Sequence, residues 1–356
     1  MATAEVGDDV LDGDPTLAAL QDRVADLLGV EAALWTPTGC MANTIALMHH
    51  LRRGDRFLAP VGAHVLEAEL GTAAWLAAGF PTPLPHDGGP GRPTPATVIG
   101  AAGTTGRGAA RSRTIETGRG AARSRTIETG RGAQRSRTIQ PRPYYGLRTS
   151  LLCLENTHNA AGGAVTTVAE HDALLGAARA AGLAVHLDGA RLWHAAVALG
   201  VEPRELVAGV DTVSVCLSKG LGAPVGSVVG GSAAFVDEAW RLRKMLGGGI
   251  RQGGVLGAAG MVALDGLADL ADDHANAARL AEGLAACGWP VIAPDTNIVL
   301  VPTSDAAPVV AALAAIAVRA VPFGPGVRFV THRDVGAHDV EDVLVRVASL
   351  PVPGAG

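Results

Sequence analysis

Apolar positions in this chain follow two alternating rhythms. Short apolar runs stand at 57–60, 151–154, 183–187, 213–217 and 227–229. Between them, apolar residues recur every three or four positions near 39–51, 168–181 and 233–245. The short runs predict buried strands, and the longer periodic stretches predict helices packed by one face. Strands alternating with helices predict an α/β fold with a mostly parallel sheet covered on both sides. Ligands on such a sheet sit at the carboxyl ends of its strands.

At the amino end, Asp14 followed by Pro15 reads as a helix cap and first turn. Leu17, Leu20, Val24, Leu27 and Leu28 continue at helical spacing, and Gly29 stops the run. A long helical region over about 252–287 leads into a second pattern. There "TNIVLVP" and "GVRFVTH" predict strands, and 308–319 and 338–349 predict helices. The expected organisation is a leading segment 1–14, a large domain 15–270 and a small C-terminal α/β domain 271–356. The longest apolar run, 309–318, is about half of the ~20 residues a membrane span needs, and it predicts a core helix.

One segment breaks the rhythm. Residues 105–140 are three tandem twelve-residue copies, with nine arginines against two glutamates and one isoleucine each (Ile115, Ile127, Ile139). So little apolar surface cannot offset the entropy of ordering twelve residues, so this insert is expected to stay disordered. The whole chain of 356 residues carries a net charge of −5, which gives no reason to expect nucleic acid or an anionic membrane as a partner. The start, "MATAEVGDDV", has no apolar signal region. Cys40, Cys153, Cys216 and Cys287 form no metal or CxxC spacing and lie in apolar contexts, so buried free thiols in a reducing cytoplasm are expected.

Chemistry enters with a scarcity. Among 29 basic residues only Lys219 and Lys244 are lysines. Arginine serves salt bridges at least as well, but only lysine can lose a proton and add to a carbonyl. Lys219 follows a buried strand in "VCLSKG". Asp188 and Arg191 follow another in "VHLDGARL", and Thr38, Gly39 and Cys40 open a helix in "PTGCMAN". An amine, a carboxylate for a pyridine nitrogen, and a glycine at a helix N-terminus for a phosphate are what pyridoxal 5′-phosphate needs.

With these residues in place, the sequence resembles the low-specificity L-threonine aldolases. The phrases that carry the resemblance are "VGDDV", "DPT", "LENTHN", "HLDGARL", "CLSKGLGAPVGS", "RKMLGGGIRQ" and "VRFVTH". It implies a pyridoxal-phosphate enzyme of the aspartate-aminotransferase fold (fold type I), a homo-oligomer acting on a β-hydroxy amino acid. By this resemblance Lys219 is the Schiff-base lysine and Asp188 the pyridine-nitrogen partner. Arg191 lies beside the cofactor and the substrate, His64 stacks on the cofactor ring and acts as base, and Arg328 binds the substrate carboxylate. Lys244 and Arg251 hold the phosphate from a neighbouring subunit. His158 reads as structural, and no metal site is expected.

The match departs from the family in four places. The usual opening Arg-Ser-Asp-Thr segment does not precede "VGDD". Cys40 stands where Thr or Ser is usual, Leu11 where Tyr is usual, and Tyr145 near the place of a second histidine. These leave a pyridoxal-phosphate β-elimination or racemisation, or a catalytically impaired relative, as alternatives to retro-aldol cleavage.

Overall fold

The computed structural model describes residues 1–11, 13–103, 146–324 and 326–354. The tandem repeat and Tyr145 lie outside the described residues. Seven strands form the main sheet: β1 (Ala32–Thr36), β2 (Arg56–Pro60), β3 (Phe80–Leu84), β4 (Thr149–Glu155), β5 (Ala184–Gly189), β6 (Thr212–Cys216) and β7 (Ser227–Gly231). Their spatial order is β1-β7-β6-β5-β4-β2-β3. Only β7 runs against its neighbours. It follows β6 after ten residues, fewer than the dozen or more that a parallel crossover requires.

The central strands read as unbroken apolar runs because helices cover both faces. Leu152, Leu154, Val185, Leu187, Val213, Val215 and Val228 pack into one core with Leu17, Leu20, Val24 and Leu28 of helix α1 (Pro15–Leu28). Asp14 caps α1 through its side chain, and Gly29 ends it in the left-handed conformation. β1, "AALWT", is as apolar and buried as these strands, whereas β3 at the other edge, "FPTPL", carries two prolines, which an edge strand tolerates.

The region 252–287 is two helices, Gly254–Asp265 and Leu270–Ala286, bent by 55° across a short 3₁₀ turn. Gly266 ends the first helix. The second helix packs Leu280 and Leu284 against a three-stranded sheet of β8 (Ile298–Pro302), β9 (Val321–Pro322) and β10 (Gly326–Val330), in the order β8-β10-β9. The expected core helix at 309–318 is Ala306–Ala315: Leu313 is buried in this second core, and Val309 and Val310 pack against it partly buried, while its other face is open. Its apolarity comes largely from alanines, which have little side chain to bury. Among the described residues no single helix is long and apolar enough to cross a membrane; the bent pair meets the length and composition only when joined.

Candidate active site

The carboxyl ends of β2, β4, β5 and β6 lie side by side along one edge of the sheet and form one site. β2 leads into the short helix His64–Glu67, and the backbone N–H of His64 donates to Glu155 Oε2 at 2.7 Å. Glu155 closes β4, and its other oxygen accepts the Asn159 N–H at 2.8 Å. One carboxylate thus fixes both the start of that helix and the "LENTHN" turn. In the sheet register, Asp188 of β5 lies opposite Glu155 on one side and Ser214 of β6 on the other. Lys219 stands three residues beyond β6.

Asp188 is 2% exposed. Its Oδ1 accepts the Ala190 N–H at 3.0 Å and its Oδ2 accepts Asn43 Nδ2–H at 2.8 Å. It forms no ion pair among the described residues. Glu69 is equally buried; its Oε1 pairs with His64 Nδ1 at 2.8 Å and accepts Asn43 Nδ2–H at 2.7 Å, while Oε2 is buried without a partner. The bond to Glu69, and secondarily the Asp188 charge, hold the His64 imidazole above its ordinary pKa against the effect of burial. Burial and the like charge of Asp188 push the Glu155 carboxyl up to about 7, and burial raises Glu69 as well. Three buried carboxyl groups, Asp188, Glu155 and Glu69, make this side of the site a place for a cation.

The opposite charge gathers nearby. Arg191 Nη1–H and Arg328 Nη1–H both donate to Asn159 Oδ1, at 3.0 and 2.9 Å. Neither guanidinium has a carboxylate partner among the described residues, and Arg328 Nε is buried without any partner. Burial, then the like charge of Arg328, pull Arg191 down from its ordinary pKa; burial does the same to Arg328. The Arg328 guanidinium also lies 4.3 Å above the Phe323 ring. Two cations sharing one neutral amide oxygen form a cradle for a carboxylate.

Lys219 has no side-chain hydrogen bond or ion pair among the described residues, and its charge acts on Cys216, His64, Cys40 and His194. The adjacent Gly220 leaves no room for a side chain, since a Cβ would fall 2.3 Å from His194 Nε2. Helix α2 (Gly39–His50) begins against the same strands, because a Cβ at Gly39 would meet Cys216 Sγ at 3.0 Å. Thr38 caps it through Met41 N–H at 3.1 Å, and the N–H groups of Gly39 and Cys40 have no acceptor among the described residues. A helix start of this kind receives a phosphate.

The thiols differ from expectation. Cys153 and Cys216 are buried, but Cys287 is half-buried and Cys40, in the first turn of α2, is exposed. The Cys40 thiol nonetheless reaches into the cluster; its sulfur, one nitrogen of His64 and one oxygen of Glu69 lie within 4.8 Å of one another. Partial burial, then the Glu69 and Asp188 carboxylates, raise its pKa. Cys40→Thr is expected to tighten cofactor binding, by about 1.5–3 kcal/mol at most, if its hydroxyl gains a bond to a charged phosphate oxygen. Equilibrium titration of cofactor checks this, and unchanged affinity means the backbone N–H groups already saturate the phosphate.

The site gathers Lys219, Asp188, His64, Arg191, Arg328, Gly39 and Cys40. It does not include Lys244 or Arg251. Lys244 is exposed at the end of the helix Ala233–Met245, and Arg251 is exposed and bonded to Asp8 Oδ2 at 2.6 Å. His158 is buried, with Nδ1 accepting the Ala161 N–H at 3.2 Å as the cap of a 3₁₀ turn. Glu69, Glu155, Asn43 and Asn159 were not marked by the sequence. Glu155 and Asn159 stand within "LENTHN", but their convergence on His64 and the arginines has no local spacing to announce it.

An amine, a buried carboxylate without a cation, paired guanidiniums without an anion and an uncovered helix start fit pyridoxal phosphate and an amino acid. On this sheet they define a pyridoxal-phosphate-dependent enzyme. A family model for beta-eliminating lyases matches residues 1–306. The low specificity L-threonine aldolase of Escherichia coli is 38% identical over 346 residues, covering 96% of this chain and 91% of that protein. That of Saccharomyces cerevisiae is 31% identical over 302 residues, covering 84% and 68%. The Leishmania major threonine aldolase superposes with a TM-score of 0.73 at 19% identity, covering 98% of this chain and 93% of that one. Serine palmitoyltransferase from Sphingomonas wittichii shares the fold, with a TM-score of 0.67 at 18% identity, covering 97% and 79%. The chain belongs to the beta-eliminating lyase family and, within it, to the low-specificity L-threonine aldolases. Family and fold imply pyridoxal 5′-phosphate as its cofactor.

Proposed function

We propose that this protein cleaves L-threonine, L-allo-threonine and related β-hydroxy-α-amino acids to glycine and an aldehyde. The observation that carries this reading is the charge layout: two guanidiniums converge on Asn159 Oδ1 without an anion, beside a buried Asp188 without a cation. When bound, pyridoxal phosphate supplies an electrophilic carbon and a protonated ring that accepts the electron pair released as Cα–Cβ breaks.

The residues around it have separable tasks. Arg328 and Arg191 hold the substrate carboxylate, which leaves the β-hydroxyl free to meet a base. His64 Nε2 takes the β-hydroxyl proton, directly or through a water, while Glu69 holds a proton on Nδ1 and raises the basicity of the ring. Asp188 holds a proton on the pyridine nitrogen. The Lys219 amine would hold the cofactor's aldehyde carbon. The N–H groups of Gly39 and Cys40 receive the phosphate. The large domain 15–270 then carries the cofactor, and the small domain 271–356 brings Arg328 to the substrate.

The protein acts as a cytoplasmic dimer or tetramer in this reading. Lys244, beside a groove of about 500 Å³ lined by Asp9, Val10, Trp240 and Arg243, then reaches the cofactor phosphate of a second copy together with Arg251. Sedimentation of the purified protein tests this, and a monomer at working concentration removes the role.

Incubation of the cofactor-loaded protein with L-threonine, L-allo-threonine and phenylserine tests the activity. Glycine with an aldehyde supports it; pyruvate or 2-oxobutyrate with ammonia points to elimination instead. Arg328→Ala is expected to raise KM for the amino acid about tenfold or more while cofactor affinity stays within about twofold. Weakened cofactor binding with an unchanged KM would remove Arg328 from the substrate site.

A further inference from the structure

A buried polar seam runs behind the site. Asn43 and His50 lie two turns apart on α2, His186 and Asp188 share a face of β5, and Thr212 and Ser214 share a face of β6. His186, Thr212, Ser214, Asn43 and Asp188 are each 2% exposed or less. An apolar seam would pack a helix on a sheet without the desolvation these groups require.

The hydrogen bonds have one self-consistent direction. Asn43 Nδ2 donates one hydrogen to Asp188 Oδ2 at 2.8 Å and the other to Glu69 Oε1 at 2.7 Å. Its Oδ1 therefore faces donors: Ser214 Oγ–H at 2.6 Å and His186 Nε2–H at 3.1 Å. His186 Nδ1 then accepts Thr212 Oγ1–H at 2.9 Å, and Thr212 Oγ1 accepts His50 Nε2–H at 2.9 Å. Burial keeps both imidazoles neutral, with His186 held down to about 4 and His50 to about 3, so this arrangement persists through the neutral range. Reversing the Asn43 amide would set its oxygen against two carboxylates, and the seam forbids that.

We propose that Asn43 is a positioning residue that couples Asp188 to the Glu69–His64 pair, with its amide orientation locked from behind by Ser214, His186 and Thr212. Asn43 touches neither substrate nor cofactor in this account. Its hydrogen bond to Glu69 Oε1 favours the ionised carboxylate against burial, while its bond to Asp188 Oδ2 ties the two groups together. The Glu69 carboxylate can then hold His64 in the Nδ1–H form, with Nε2 directed to the reaction. Without Asn43, a buried carboxyl loses a donor and takes up a proton. A protonated Glu69 donates to His64 Nδ1 and shifts the ring to the Nε2–H form. This inference rests on the aldolase reading for the use made of His64, but the hydrogen-bond coupling itself stands on cofactor-free protein.

The test is nitrogen-15 NMR of histidine-labelled, cofactor-free protein, with His64 and His186 assigned by substitution. Wild type is expected to show His64 as Nδ1–H and His186 as Nε2–H. Asn43→Ala is expected to lower the His64 titration by about one pH unit or more and to populate its Nε2–H form. With cofactor, kcat should fall about 10- to 100-fold while KM stays within about threefold. Thr212→Val should shift His64 in the same direction, and should add nothing in the Asn43→Ala background. An unmoved His64 titration in Asn43→Ala, or additive effects with Thr212→Val, overturns the coupling. Should Asn43→Ala fail to fold, the double variant Ser214→Ala, Thr212→Val decides: a lowered His64 titration supports the proposal and an unchanged one overturns it. Failure of wild type to release glycine would instead overturn the aldolase reading and leave the NMR result standing.

Discussion

Lys219→Ala is expected to abolish both the absorption band of the lysine-linked cofactor and the release of glycine. The chain has two lysines, and Lys244 stands exposed outside the site. Only Lys219 follows the end of β6 among Cys216, His64 and Cys40. Its amine has no partner among the described residues, so nothing in the fold has to be broken to free it. Lys219→Arg should fail as well, because a guanidinium stays protonated and cannot add to a carbonyl. Absorption spectra of the reconstituted variant, followed by borohydride reduction and peptide mapping, check this. A reduced cofactor adduct on Lys244 in the wild-type protein would overturn the assignment.

Asp188→Asn is expected to cost about 100-fold or more in kcat with the fold retained. Two physical effects add. A neutral amide cannot hold a proton on the pyridine nitrogen. The new NH₂ group must also face either the Ala190 N–H or the Asn43 Nδ2–H that Asp188 now accepts, so one donor meets another. Single-turnover rates together with circular dichroism separate the chemical loss from misfolding. A loss below about tenfold, equivalent to ~1.4 kcal/mol of barrier, would show that Asp188 does not hold the ring nitrogen.

Local sequence determined much of this protein. The apolar runs of β2, β4, β5, β6 and β7 could be read directly, because strands covered on both faces need continuous apolar stretches. Asp14 and Gly29 bound α1 through their own caps, a one-residue chemistry that needs no distant partner. Lys219 stood out by its rarity, and Asp188 by following a buried strand. Family phrases around these residues carried the reaction type.

Tertiary structure alone decided what those residues are attached to. Arg191 and Arg328 lie far apart in the chain and meet only because Asn159 of "LENTHN" turns back between them. Glu155 ties His64 to that same turn through two backbone N–H groups. The reversal of β7 follows from the short link after β6. Asn43 reads in the sequence as an ordinary polar position beside Thr44 in a largely apolar helix. It gains a role when α2 lies across β5 and β6, because a hydrogen bond is set by distance in space and leaves no periodic trace in the order of residues.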